Sequence, residues 1–132
     1  MGKITFILGG ARSGKSRYAQ KLAQGIGKKI AFIATGQPLD KEMKKRILIH
    51  KNNRPPHWKN FEEPLNPVPL LKNIGEEFDV ILIDCLTLMV SNFMLRGIKE
   101  AVIKNNINKM AGILKKTKAN SIIVSNEVGL GI

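Results

Sequence analysis

The sequence predicts an α/β fold, in which a mostly parallel sheet carries helices on both of its faces. Short apolar, β-prone segments alternate along the chain with segments whose apolar residues recur at helical spacing, and this alternation implies right-handed crossovers between parallel strands. The segment "DVILIDC" is apolar without alternation, as expected of a strand buried on both faces. The length of 132 residues fits a single domain, residues 1–132.

Four strands and three helices are predicted in chain order. The strands are Lys3–Leu8, Lys29–Thr35, Asp79–Cys85 and Ser121–Glu127, and the helices are Lys15–Gln24, Asp40–Lys51 and Glu100–Lys116. Gly25 is a stop signal after the first helix, and Asp40 is the N-cap of the second. The third helix should bury a stripe of apolar residues, Ile103, Ile107, Met110 and Leu114. Residues 52–69 hold five of the six prolines, so we expect a mostly irregular segment that crosses the surface.

A glycine-rich loop follows the first predicted strand. Residues 9–16, "GGARSGKS", fit G-x-x-x-x-G-K-[ST] with Gly9, Gly14, Lys15 and Ser16 at the fixed positions. Glycines let several backbone N–H groups converge on a phosphate, Lys15 can reach the β and γ phosphates, and the Ser16 hydroxyl can bind Mg²⁺. An accidental glycine turn is the weaker interpretation, because the pattern starts after a predicted strand and ends where a predicted helix begins. The sequence therefore predicts a P-loop NTPase fold, RecA-like in type.

A carboxylate supports this prediction. Asp84 ends the strand "VILID", and an acid at the carboxyl end of an adjacent parallel strand can bind the Mg²⁺ that Ser16 also binds. Alone, a carboxylate after four apolar residues is more often a strand-end acid or a helix cap. Beside a P-loop, the metal role is favoured.

The net charge of +12 raises the question of a nucleic-acid partner, since clustered cations release counterions from phosphate backbones. All but five of the 22 basic residues are lysines, and they are scattered through every segment. A solvated lysine-rich surface is the preferred explanation, and no nucleic-acid partner is expected.

The sequence also bears on the cellular compartment of the protein and on the role of its cysteine. No apolar run approaches the roughly 20 residues that span a bilayer, and the N-terminus lacks a cleavage site. We expect no membrane segment and a cytoplasmic protein. The single cysteine, Cys85, lies in an apolar stretch, which favours a buried small side chain over a redox group.

Three stretches together carry a family resemblance: "GGARSGKS", "ATGQPLDKEMKKRILIHKNNRPPHW" and "VSNEVGLGI". They resemble the bifunctional adenosylcobinamide kinase/adenosylcobinamide-phosphate guanylyltransferase of cobalamin biosynthesis, from Lys3 to Ile132. The resemblance implies that ATP or GTP phosphorylates the aminopropanol hydroxyl of the corrinoid adenosylcobinamide. GMP is then transferred from GTP to that phosphate, which gives adenosylcobinamide-GDP and pyrophosphate.

The resemblance also implies a covalent intermediate. The second reaction of the family proceeds through a GMP-histidine, and its pattern Arg-Ile-x-x-His corresponds here to Arg46–His50. The implied catalytic residues are therefore His50 and, in the P-loop, Lys15. The residues alone leave the matter open, because a histidine on an apolar helical face is more often a hydrogen-bonded structural residue. His57 is the rival nucleophile, although a structural or stacking role suits it better between Pro56 and Trp58.

Further site residues follow from the same resemblance. The implied nucleotide-binding residues are Gly9, Gly10, Ala11, Arg12, Ser13, Gly14, Lys15, Ser16, Ala34, Thr35, Gly36, Lys51, Asn52, Asn53, Arg54, Glu62 and Asp84. Lys51 and Arg54 suit phosphate, and Glu62 can accept from the guanine N1 and N2 donors. Lys51 as surface charge and Glu62 as a solvated loop acid remain alternatives. The implied metal ligands are Ser16 and Asp84, for Mg²⁺.

The family continues for several tens of residues beyond "NEVGLGI", so the resemblance implies a chain that is incomplete at its C-terminus. It also implies a homo-oligomer, because the family forms trimers. Three other interpretations remain open: another small-molecule P-loop kinase, a nucleic-acid-dependent P-loop ATPase, and a catalytically inactive remnant.

Overall fold

A computed structural model of the chain describes residues 2–9, 14–74 and 76–126. These residues form five strands and five helices. The strands are β1 (Ile4–Gly9), β2 (Ile30–Ala34), β3 (Lys59–Glu62), β4 (Val80–Asp84) and β5 (Asn120–Asn126). The helices are α1 (Lys15–Ile26), α2 (Lys41–Asn52), α3 (Val68–Ile74), α4 (Leu86–Leu95) and α5 (Glu100–Lys116).

The five strands form one sheet in the order β1-β5-β4-β2-β3, and every neighbouring pair is parallel. The register places Gly9 beside Asn126, and Asp84 between Ala34 and Val124. The carboxyl ends of these strands therefore meet at one edge of the sheet, where open α/β sheets bind their ligands.

Both faces of the central strands β2, β4 and β5 are buried. Ile30 and Phe32 of β2 pack with α1 on one face, while Ala31 and Ile33 pack with α3, α4 and α5 on the other. Successive residues of a strand point to opposite faces, so a strand covered on both sides must be apolar throughout. This confirms the predicted parallel sheet with helices on both faces. No helix in the described ranges is long and apolar enough to cross a membrane.

The four predicted strands agree with the structure to within one residue at the ends it describes, and Glu127 lies outside the described residues. The predicted N-cap is confirmed, since Asp40 Oδ1 accepts a hydrogen bond of 2.7 Å from Met43 N. The predicted stop at Gly25 is wrong: α1 continues to Ile26, and Gly27 is its C-cap. Ile107 is only partly buried, unlike the other three residues of the predicted α5 stripe.

Three elements were not predicted: β3, α3 and α4. The prediction of a mostly irregular segment over residues 52–69 is wrong for β3, which pairs with β2 as an edge strand. It is also wrong at its end, because α3 begins at Val68 and holds Pro69 in its first turn. A proline is tolerated there, since the first N–H groups of a helix have no partner within the helix.

Candidate active site

The described part of the glycine loop consists of its two ends, at the end of β1 and at the start of α1. Gly9 ends β1, and Gly14 caps α1 with φ 77°, a left-handed conformation that glycine adopts without a Cβ penalty. Lys15 and Ser16 then open α1, and Lys15 is only 8% exposed. Gly10, Ala11, Arg12 and Ser13 lie outside the described residues. The lysine and serine of the motif thus stand at the positive end of a helix, at the ligand-binding edge of the sheet.

Ser16 and Asp84 meet as a pair. Ser16 Oγ donates a hydrogen bond of 2.8 Å to Asp84 Oδ2. The predicted adjacency of the two strands is wrong, because β5 lies between β1 and β4. The pair forms because α1 packs across both β5 and β4, which brings its first turn to the end of β4.

This pair fits Mg²⁺. Magnesium takes oxygen ligands, keeps several waters and is usually bound by one or two carboxylates together with substrate phosphates. One hydroxyl and one carboxylate oxygen converge at the end of β4. The described residues hold no group of three or more His, Cys, Asp or Glu that could bind a metal without a substrate. The hydroxyl and the carboxylate are therefore suited to a cation whose other ligands include the phosphates of a bound nucleotide.

A buried polar network joins the strand ends behind this pair. Thr35 is fully buried, and its Oγ1 donates to Cys85 O at 2.7 Å while accepting from Cys85 N at 2.8 Å. Thr87 Oγ1 accepts from Asn126 N at 3.0 Å, which joins the start of α4 to the end of β5. The Thr35 side chain therefore supports the site, and its contact with a nucleotide stays a prediction.

Cys85 is 3% exposed, as predicted for a small buried side chain. Burial raises the pKa of its thiol, and the charge of Asp84 adds to this, whereas the Leu88 backbone N–H and Lys15 act in the opposite direction. A thiol with a raised pKa stays protonated at neutral pH and is a poor nucleophile. We therefore assign Cys85 a packing role.

Arg54 is held near two carboxylates. Its Nη1 donates a hydrogen bond of 2.8 Å to Asn60 Oδ1, and its guanidinium carbon lies 3.6 Å from the centroid of the Phe32 ring. Burial lowers the pKa of Arg54, and the charges of Asp84 and Glu62 oppose that shift. The structure thus brings three of the predicted nucleotide-binding residues into one electrostatic neighbourhood.

A cavity of about 220 Å³ opens between α2 and the ends of β2 and β3. The residues that line it are Gly36, Pro38, Lys44, Ile47, Leu48, Lys51 and Glu62. Gly36, Lys51 and Glu62 among them are predicted nucleotide-binding residues. Pockets for small molecules usually measure roughly 300–1,000 Å³, so this cavity has room for a part of a nucleotide.

The two histidines differ from the cavity residues in position. His50 lies in the last turn of α2, is exposed and does not line the cavity, although its neighbour Lys51 does. Successive helical residues are about 100° apart, so His50 lies beside the cavity face. His57 is also exposed; the stacking residue is its neighbour Trp58, which is 4% exposed and stacks on Phe32.

The remaining predicted residues lie around this group. Ala34 ends β2, and its carbonyl accepts from Glu63 N at 2.9 Å. Asn52 ends α2, Asn53 is its C-cap, and both are exposed. Their contacts with a nucleotide stay predictions.

One buried residue was missed. Asn92 of α4 is 4% exposed, and its Nδ2 donates to Thr35 O at 2.8 Å and to Pro64 O at 2.7 Å. It therefore ties the segment after β2, which holds Gly36, to the segment that follows β3 and its last residue, Glu62. The helical spacing of Met89 and Phe93 was a signal for α4, but the apolar run up to Val90 concealed it.

The parallel sheet, the glycine-capped helix and the Ser16–Asp84 pair place the chain in the P-loop NTPase-like class of α/β nucleotide-binding proteins. Residues 5–132 match the model of the cobinamide kinase / cobinamide phosphate guanyltransferase family. The chain belongs to this family of enzymes, as its resemblance predicted.

Curated relatives agree with this assignment. The chain is 41% identical over 133 aligned positions to the bifunctional adenosylcobalamin biosynthesis protein CobP of Pseudomonas aeruginosa. That alignment covers 96% of the chain and 72% of the relative. It is 38% and 36% identical over 141 residues to the bifunctional adenosylcobalamin biosynthesis proteins CobU of Salmonella typhimurium and Escherichia coli. Each of these two alignments covers 98% of the chain and 77% of the relative.

Proposed function

We propose that the protein phosphorylates adenosylcobinamide with ATP or GTP and then transfers GMP from GTP to adenosylcobinamide phosphate through a GMP-histidine. The observation that carries the proposal is the Ser16–Asp84 hydrogen bond at the start of the P-loop helix, in a chain whose family is described by both activities. The corrinoid substrate follows from the family and from the names of the relatives.

The phosphoryl transfer would use the P-loop edge of the sheet. Lys15 would neutralise charge on the β and γ phosphates, and Ser16 and Asp84 would hold Mg²⁺. Magnesium, when bound, supplies charge stabilisation at the phosphates. The hydroxyl of adenosylcobinamide would attack the γ phosphorus, and the bond from that phosphorus to the bridging oxygen would break. ADP or GDP would leave, and the hydroxyl proton would pass to solvent.

The guanylyl transfer would use His50. One neutral imidazole nitrogen would form a bond to the α phosphorus of GTP, the bond from that phosphorus to the bridging oxygen would break, and pyrophosphate would leave. A phosphate oxygen of adenosylcobinamide phosphate would then attack the same phosphorus and release the imidazole. One difficult transfer becomes two easier ones.

The position of His50 supports its role as the nucleophile of guanylyl transfer in one respect. In another respect it leaves a second candidate function. The side chain is exposed at the end of α2, and the next residue, Lys51, lines the cavity; we propose that GTP binds so that its α phosphate lies at His50. It does not line the cavity itself, which favours an ordinary small-molecule P-loop kinase as the alternative. Such a kinase would bind nucleotide without labelling His50.

Incubation with radiolabelled GTP separates these two functions. With the label at the α phosphate, we expect a protein adduct that is lost in acid and persists in alkali, as a phosphoramidate does. GTP labelled at the γ phosphate is the matched control and should leave no adduct. Kinase activity without the α-labelled adduct would contradict the guanylyl-histidine and favour the ordinary small-molecule kinase.

The proposal also includes a cytoplasmic location and a homotrimer. Analytical ultracentrifugation would measure whether the protein is a trimer.

A further inference from the structure

Arg54 is held in the candidate site by two uncharged groups. Asn60 Oδ1 accepts from Arg54 Nη1 at 2.8 Å, and the face of Phe32 lies under the guanidinium at 3.6 Å. Arg54 is partly buried. An arginine taken out of water is usually paired with a carboxylate, because burial of an unpaired charge costs free energy. Here burial does lower the pKa of the guanidinium.

Two carboxylates lie near Arg54, but neither forms a salt bridge with it. Asp84 and Glu62 act on Arg54 through their charges, yet within the described ranges no salt bridge of 4.0 Å or less joins Arg54 to an acid. Its Nε is buried and has no hydrogen-bond partner among those residues. The positive charge is thus fixed in place and not neutralised by direct contact.

The backbone explains why these groups meet. Phe32 of β2 and Asn60 of β3 are partners in the parallel register, so their side chains share a face of the sheet. The chain turns between Arg54 and Asn60, and Trp58 N donates to Pro55 O at 3.1 Å within that turn. The turn returns Arg54 over the Phe32 ring. Glu62 lies two residues beyond Asn60 on the same strand.

We propose that Asn60 is a positioning residue for Arg54. Its neutral amide oxygen, with the ring of Phe32, fixes the guanidinium toward the nucleotide phosphates without neutralising its charge. The inference rests on the proposed nucleotide site and assigns Asn60 and Phe32 a role in triphosphate affinity. An aspartate at this position would have nearly the same shape, but it would pair with the arginine and remove the charge that phosphate needs.

The test compares GTP with guanosine, titrated calorimetrically against the whole chain. Asn60→Asp should weaken GTP binding about tenfold, or about 1.4 kcal/mol, and leave guanosine binding unchanged, because guanosine has no phosphate. Retained guanosine binding also shows that the variant is folded. Asn66→Asp is the matched control: Asn66 accepts from Val68 N at the start of α3, and aspartate serves equally well there, so neither affinity should change.

A double-mutant cycle separates positioning from direct repulsion between an acid and the phosphates. Asn60→Ala should weaken GTP binding in the native background and have no further effect beside Arg54→Met, since both changes act through one guanidinium. Additive losses would overturn the proposal, and so would equal losses of GTP and guanosine affinity in Asn60→Asp. Absence of GTP binding in the unaltered chain would overturn the proposed function as well, whereas normal GTP binding in Asn60→Asp would overturn this inference alone.

Discussion

Ser16 donates a hydrogen bond of 2.8 Å to Asp84, although β1, which precedes Ser16, and β4, which ends at Asp84, are not neighbours in the sheet. Helix α1 packs across the intervening strand β5 onto β4, and this brings Ser16 in the first turn of α1 to Asp84. The predicted phosphate-binding residues and metal ligands are thereby supplied from two separated strands. Through β5, the register places Asp84 level with Ile7, two residues before β1 ends at Gly9. The carboxyl ends of β1 and β4 are therefore close to the same level.

Replacement of the P-loop lysine should remove most activity without unfolding the chain. Lys15→Ala should reduce kcat/KM for kinase and guanylyl transfer by about 10²–10³-fold, as loss of one preorganised charge does elsewhere. Steady-state kinetics of both reactions would measure this. Lys21→Ala, an exposed lysine of the same helix, should have no effect. Unchanged turnover in Lys15→Ala would contradict the P-loop assignment.

The carboxylate at the end of β4 should set the magnesium requirement. Asp84→Asn removes the negative charge, so half-maximal kinase activity should need at least about tenfold more Mg²⁺, because carboxylates are its preferred protein ligands. A titration of rate against Mg²⁺ would measure the shift. Asp79 lies just before β4 and accepts from Lys28 N and Lys29 N. Asp79→Asn should leave the magnesium curve where it is, and equal shifts in the two variants would exclude a specific role for Asp84.

The two reactions should separate when the histidine is removed. Only the guanylyl transfer needs a side chain that bonds to phosphorus, so His50→Ala should abolish the GMP adduct and retain kinase activity. His57→Ala is the control and should keep the adduct. Label that survives in His50→Ala and vanishes in His57→Ala would transfer the role to His57.

The buried amide of α4 should matter for stability. Asn92→Leu leaves the carbonyls of Thr35 and Pro64 without their donor, and each unsatisfied buried group costs about 1–3 kcal/mol. Urea unfolding should therefore show a loss of at least about 1 kcal/mol. Asn108→Leu on the exposed side of α5 should stay within about 0.5 kcal/mol of the native chain. Equal stability of the two variants would mean that these hydrogen bonds contribute little.

The sequence by itself determined the local features of this protein. A P-loop is a contiguous pattern whose glycine, lysine and serine act through the backbone turn they create, and strands buried on both faces are apolar throughout; both signals are local. The N-cap at Asp40 was found for the same reason, because its hydrogen bond spans three residues. The family also followed from contiguous motifs and was confirmed by the match over residues 5–132.

The tertiary structure alone decided which distant residues meet. The insertion of β5 between β1 and β4 is a matter of topology, which no local pattern encodes, and β3 exists because β2 offers it a parallel partner. Asn60 and Asn92 have ordinary sequence surroundings, and only the structure shows their hydrogen bonds with Arg54 and with the carbonyl of Thr35. Such contacts join segments that only the packed sheet brings together, because a hydrogen bond depends on distance in space and not on separation along the chain.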